Sequence, residues 1–194
     1  QHMAQTTASL QPTINLTTSP ASIVFTGNGT TSGQYFQNTI PFTFNFGTNY
    51  QYTIRAVVNN TVGGCLIYKG YQGAPWTKAG QKAWYLGPSN YTSTSGNYPD
   101  LVGWGEGWVV TSTPITSAKT SVTWSSSSFS SVAVYENAVS VTPAYNRSSS
   151  TADGDNYLYF GITTASGVPY YNGNVYELEM FSSALGSSDV TIMG

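Results

Sequence analysis

An all-β fold of two stacked antiparallel sheets is predicted by three features of this 194-residue chain. Short β-branched and aromatic runs recur along it, Gly, Pro, Ser and Asn clusters separate them, and helical periodicity is nearly absent. The runs predict strands at Ser22–Phe25, Gln34–Gln37, Phe42–Phe46, Tyr50–Val58, Cys65–Lys69, Lys82–Leu86, Leu101–Trp104 and Trp108–Ser112. Further strands follow at Ser121–Ser125, Ser131–Glu136, Ala138–Val141, Tyr157–Ile162 and Asn174–Phe181. Alternation is clearest at Tyr50, Tyr52, Ile54 and Ala56, which a strand places on one face, with Arg55 on the other. Val132–Val141 reads as a hairpin turning at Glu136-Asn137, and only Ser183–Val190 suits a helical turn. Gln1-His2-Met3 reads as a cloning scar and residues 4–15 as a flexible stub. Residues 16–194 are expected to form a single sandwich domain.

Charge is the scarce commodity. The chain holds 6 Lys+Arg and 8 Asp+Glu, 7% of its residues, against about 25% in ordinary soluble domains. Hydrophobic residues stand at an ordinary 40%, so the chain has enough apolar material for a core and lacks the composition of a disordered one. A net charge of −2 supplies no basic stripe for nucleic acid, and no apolar run approaches the ~20 residues of a membrane helix. The single histidine is His2 and the single cysteine is Cys65. Beyond the scar, Ser–His and Cys–His nucleophile pairs, HExxH zinc sites and an internal disulfide are therefore excluded. Cys65 is expected as a small buried hydrophobe. Few carboxylates leave little for acid to protonate, which predicts tolerance of low pH. Five Asn-x-Ser/Thr sequons, beginning at Asn15, Asn28, Asn59, Asn90 and Asn146, add to an expectation of an extracellular, cell-surface or virion-surface domain.

Four segments, in order, resemble the laminin-G-like jelly roll of the concanavalin A-like lectin/glucanase superfamily. They are Leu66-Ile67-Tyr68-Lys69-Gly70 with Trp84-Tyr85-Leu86-Gly87, the strand Tyr50–Val58, the hairpin Val132–Val141, and Asn172-Gly173-Asn174-Val175-Tyr176-Glu177-Leu178-Glu179-Met180-Phe181 running on to Ala184-Leu185. The resemblance spans roughly residues 20–192 and implies a jelly-roll sandwich. Tyr176 stands where the family has Asp, and Ala138 where its hairpin has Gly.

Three groups of residues are candidates for chemistry. Trp76, Tyr71, Tyr91, Tyr98, Tyr145, Tyr170 and Tyr171 fall in Gly-, Pro- or Asn-rich stretches outside strand patterns. Ring faces there can stack on sugar C–H faces while neutral amides bond the hydroxyls. Trp84, Trp104, Trp108 and Trp124 lie in strand patterns and are expected in the core. Asp153, Asp155 and Asn156 are oxygen donors of the kind Ca²⁺ takes, with Asp100 and Glu106 as further candidate ligands, and the resemblance implies that calcium is a family ligand. Glu177 and Glu179, at i and i+2 on a strand, share a face, a spacing within the range of about 5–9.5 Å at which glycosidases hold their two acids.

Three functions remain open on the sequence. The leading one is non-enzymatic recognition of a glycan or glycoprotein by the loop aromatics, as a module of a larger surface or virion protein. The second is a structural subunit that self-associates or meets neighbouring domains in a surface filament or coat. The third is a glycoside hydrolase using Glu177 and Glu179. None calls for nucleic acid or membrane insertion.

Overall fold

A computed structural model describes residues 3–27, 33–38, 51–62, 65–70, 84–89, 98–103, 107–111, 118–128, 131–146, 157–161 and 170–193. In chain order the strands are β1 (Met3–Ala4), β2 (Thr13–Asn15), β3 (Ser22–Phe25), β4 (Phe36–Asn38), β5 (Tyr52–Val62), β6 (Ile67–Gly70), β7 (Trp84–Ser89) and β8 (Tyr98–Gly103). They continue as β9 (Gly107–Thr111), β10 (Thr120–Ser128), β11 (Ser131–Glu136), β12 (Val139–Val141), β13 (Pro143–Asn146), β14 (Tyr157–Phe160) and β15 (Asn172–Phe181). A 3₁₀ turn spans Ala8–Leu10, and one helix, α1 (Ser187–Met193), follows β15.

The strands form two antiparallel sheets. One has eight strands in the order β1-β4-β14-β6-β7-β8-β9-β13, the other seven in the order β12-β11-β10-β5-β15-β3-β2. Neighbours such as β4 with β14, or β5 with β15, are far apart in the chain, as jelly-roll crossovers require. The predicted alternation holds along β5: Tyr52, Ile54, Ala56 and Val58 point into the core with Val122, Trp124, Val134 and Val175 of the same sheet. Ile67 and Leu158 meet them from the eight-stranded sheet, and Phe25, Leu66 and Tyr171 close the space between. Each fully buried aliphatic side chain contributes about 1.5–3 kcal/mol relative to exposure. Cys65 is buried there as expected, its thiol donating to the Ile67 carbonyl at 3.2 Å.

Three local features differ from expectation. Residues 4–15 are not a loose stub: β1 pairs with β4 and β2 with β3, so the chain's first residues supply an edge to each sheet. Strands of two and three residues are too short to show a period, which is why the sequence hid them. The hairpin turn falls one residue later, at Asn137-Ala138, with φ +49° and +64°. Two positive angles match the twist of the flanking strands, and Asn137 bonds back to Ser121 through its side-chain oxygen and its backbone N–H. Finally, β15 carries a bulge: Val175 pairs with Val58 and Glu177 with Val57, leaving Tyr176 as the extra residue. Val175 lies in the core and so, after the bulge, do Leu178 and Met180 pack against it, which throws Glu177 and Glu179 outward. The strand predicted at Phe42–Phe46 lies outside the described residues.

Candidate functional site

The register of the eight-stranded sheet sorts its residues onto two faces. Ile67 is fully buried, and its ladder mates Leu86, Leu101 and Val109 on one side, Phe160 and Phe36 on the other, occupy the same core-side face. The next rung along lies on the opposite, outer face. It runs Gln37, Tyr159, Tyr68, Tyr85, Val102, Trp108 across β4, β14, β6, β7, β8 and β9. A second outer rung runs Gly87, Asp100, Val110, Tyr145, and the pairs Tyr157–Gly70 and Ser89–Tyr98 take further outer positions. Among the described residues, seven aromatics thus hold outer-face positions, with one acid, Asp100, and no Lys or Arg. Tyr159 is only 3% exposed, so the chain itself covers this face at β14.

Two of the predicted site tyrosines come together here. Tyr98 and Tyr145 belong to β8 and β13 instead of to loops, and both hold outer-face positions. Trp108, expected in the core, also holds an outer position, because it is Val109 and Leu101 that share the core-side rung. Trp84 pairs with Lys69, on the rung of Leu158, and Trp124 is buried in the core as predicted. Sequence reasoning did not single out Tyr68, Tyr85 and Tyr157, which the register places on the outer face, nor Tyr159, which is buried there. The signal was present in Ile67-Tyr68, Trp84-Tyr85-Leu86 and Tyr157-Leu158-Tyr159-Phe160, where tyrosines alternate with core residues.

The remaining predicted residues go elsewhere. Tyr171 is 0% exposed and belongs to the core, which corrects its placement among ligand-facing residues. Its ring packs edge-on against Phe25, its hydroxyl donates to the Asn59 carbonyl at 2.8 Å, and burial pushes its pKa up. Tyr170 is half-buried against Gly27 and Gly33, and a Cβ at Gly33 would come within 2.6 Å of its ring. Burial, with nearby Tyr35 adding to it, raises its pKa. Its backbone bridges to Cys65, ahead of β6. Trp76, Tyr71 and Tyr91 lie outside the described residues, as do Asp153, Asp155 and Asn156 of the candidate calcium set. Among the described residues no group of three His, Cys, Asp or Glu could hold a metal.

Glu177 and Glu179 lie on the other sheet, opposite its core face, beside Arg55 of β5. One guanidinium nitrogen, Nη1, bonds both carboxylates, at 3.1 Å to Glu179, and Nη2 donates to the Met193 carbonyl at 2.7 Å. Arg55 thus points away from the core, as predicted, yet is buried, because α1 and the segment before it lie across this face. Thr53 donates to the Ser183 carbonyl at 2.9 Å and Ser125 to the Leu185 carbonyl at 2.7 Å, fastening that segment down. Both acids, partly exposed, are partners of the buried Arg55.

No protein-family model matches the chain, and no curated protein does. Solved structures match at low identity. Domain 4 of an extracellular arabinanase from Geobacillus stearothermophilus, solved with arabinotriose, is 15% identical with TM-score 0.58, covering 89% of this chain and 76% of that one. The CBM40 domain of a Ruminococcus gnavus sialidase, solved with α2,3-sialyllactose, is 13% identical with TM-score 0.54 over 87% and 96%. Trypanosoma rangeli sialidase with sialic acid is 15% identical with TM-score 0.56; the chain spans only about a quarter (26%) of that protein's length. The fold is a jelly-roll β-sandwich.

Proposed function

We propose that this domain is a non-enzymatic glycan-recognition module whose binding surface is the outer face of the eight-stranded sheet. The observation that carries the reading is the register: Tyr68, Tyr85, Trp108 and Tyr145 hold positions on β6, β7, β9 and β13 of one face whose described positions hold neither Lys nor Arg. Aromatic rings on such a face bind sugars by stacking, and Tyr hydroxyls, Gln37 and Asp100 offer hydrogen bonds to their hydroxyl groups. Domains of the same fold solved with arabinotriose and sialyllactose support a sugar as the ligand class. The engagement of Glu177 and Glu179 by Arg55 supports binding over hydrolysis. The ordered motifs favour a laminin-G-like module, and the scarcity of charge and the sequons favour an extracellular, cell-surface or virion-surface setting.

A glycan array on the purified chain, with and without calcium, tests this. Specific retention of a glycan family is expected, and Tyr85→Ala should weaken it by at least about tenfold while circular dichroism stays unchanged. Retention that Tyr85→Ala and Trp108→Ala leave untouched would move the site elsewhere.

A second reading, a self-associating structural subunit, is favoured by one feature. The edge strand β2 leaves Ile14 69% exposed, and Leu16 just beyond it is 77% exposed. Concentration-dependent oligomers abolished by Ile14→Lys would support it.

A further inference from the structure

We infer that Asn15 is an N-glycosylation acceptor and that its glycan covers the free edge of the seven-stranded sheet, keeping two copies of the domain from pairing there. Its role does not depend on what the other sheet binds. Of the five sequons, those at Asn28, Asn90 and Asn146 lie wholly or partly outside the described residues. The acceptor side chains of the other two are held in opposite ways. Asn15 closes β2, the last strand of its sheet. Its side-chain oxygen accepts the Thr17 backbone N–H at 2.9 Å and the Thr17 hydroxyl at 2.7 Å. This Asx turn closes within the three residues of the sequon, so it needs no other part of the fold to form. Both donors sit on Oδ1, and Nδ2 makes no hydrogen bond to the described residues. Leu16 and Thr17 are exposed and Asn15 is half-buried, so an enzyme can reach acceptor and hydroxyl together from solvent. Asn59 stands instead in β5, between β10 and β15. Its Oδ1 accepts the Asn174 N–H at 2.9 Å and its Nδ2 donates to the Tyr176 hydroxyl at 3.5 Å. A sugar on that nitrogen would stand between Asn59 and the strand it is bonded to.

The step is a group transfer from an oligosaccharide carried on a polyprenyl phosphate or diphosphate. Nδ2 of Asn15 bonds the anomeric carbon, and the C–O bond from that carbon to the phosphate breaks. The electron pair leaves with the phosphate, and Nδ2 gives up one proton to the transferase. The position then decides what the glycan does. Ile14 and Leu16 flank Asn15 in the chain and are 69% and 77% exposed, on and just beyond a strand that ends its sheet. Apolar residues on such an edge invite pairing with another chain unless something covers them. A bulky, hydrated glycan rooted between these two residues is such a cover.

The full chain, secreted from cultured mammalian cells behind a cleavable signal, is compared with the same chain made in bacteria. Enzymatic removal of N-glycans in heavy-oxygen water turns each occupied Asn into a labelled Asp, read by peptide mass spectrometry. Asn15 should be occupied in at least about half of the folded secreted chain, and Asn59 at least about fivefold less. Thr17→Ala should abolish the label at Asn15, and Thr17→Ser should keep it. In light scattering at about 100 μM the secreted chain should be monomeric. The bacterial chain and secreted Thr17→Ala should form dimers or larger species, and adding Ile14→Lys to Thr17→Ala should restore monomers. An unlabelled Asn15, or heavier labelling at Asn59, would overturn the acceptor assignment. Labelling at Asn15 with the same oligomeric state in both chains would overturn the cover. The bacterial chain has the unaltered sequence, so the size comparison decides even where Thr17→Ala misfolds.

Discussion

At the scale of single residues, the backbone at Ala138 is the clearest misfit between side chain and conformation. Its φ of +64° lies in the left-handed region, where a Cβ costs roughly 1–2 kcal/mol and glycine costs nothing. Ala138→Gly should therefore stabilise the domain by about 1 kcal/mol, raising Tm by about 2–4 °C in calorimetry. The neighbouring Asn137 tolerates the same region, because its side chain accepts the Ser121 N–H at 3.0 Å. Residue-level reading succeeded where period spoke, as at Arg55, Trp124 and Cys65. It failed where a residue's neighbours in the chain differ from its neighbours in space. Tyr171 follows Pro169 and Tyr170 in a stretch that reads as a loop, yet its ring fills the core beside Phe25. Nothing local in Pro169-Tyr170-Tyr171 announces that contact.

At the scale of elements, β5 and β15 with α1 behave as one clamp. Arg55 holds Glu177, Glu179 and the Met193 carbonyl, so removing it leaves two carboxylates without a cation and frees the end of the helix. Arg55→Ala should cost about 2–3 kcal/mol in urea unfolding, below the range for fully buried pairs because both glutamates are partly exposed. Amide exchange across α1 should rise with it. The strands themselves were readable to within a few residues wherever β-branched or aromatic alternation ran for four residues or more. Those that escaped, β1, β2 and β13, are two to four residues long or begin with proline. The bulge at Tyr176 escaped for a different reason. A single extra residue leaves local composition unchanged and shows only against the partner strand.

For the whole molecule, the balance of charge and burial sets an asymmetric response to pH. Among the described residues the ion pairs are those of Arg55 with Glu177 and Glu179, so little is lost when carboxylates protonate. Urea unfolding at about pH 3 should give a stability within about 1–2 kcal/mol of that at pH 7. The alkaline side differs. Burial raises the pKa of Tyr52 and Tyr171 in the fold, with a Ser126 hydrogen bond opposing it in part at Tyr52. Unfolded tyrosines ionise near pH 10. Stability is then fully present below about pH 10 and falls as pH rises beyond it. Midpoints measured at pH 7 and about pH 10.5 should show the fall, and Tyr171→Phe should lessen it. The two-sheet architecture was legible in composition and period alone. The proposed binding face was not, since it is assembled from alternate residues of six strands whose order no single stretch of sequence reveals.

The strand order has a bearing on how this fold comes into being. β5, at the middle of its sheet, is flanked by β10 and by β15, so one of its two edges stays unpaired until β15 has been synthesised. Long-range strand pairing of this kind is slow. A nascent chain would pass the ribosome as an open polymer and gain its shape in one late event, with Ile54, Ala56 and Val58 uncovered in the meantime.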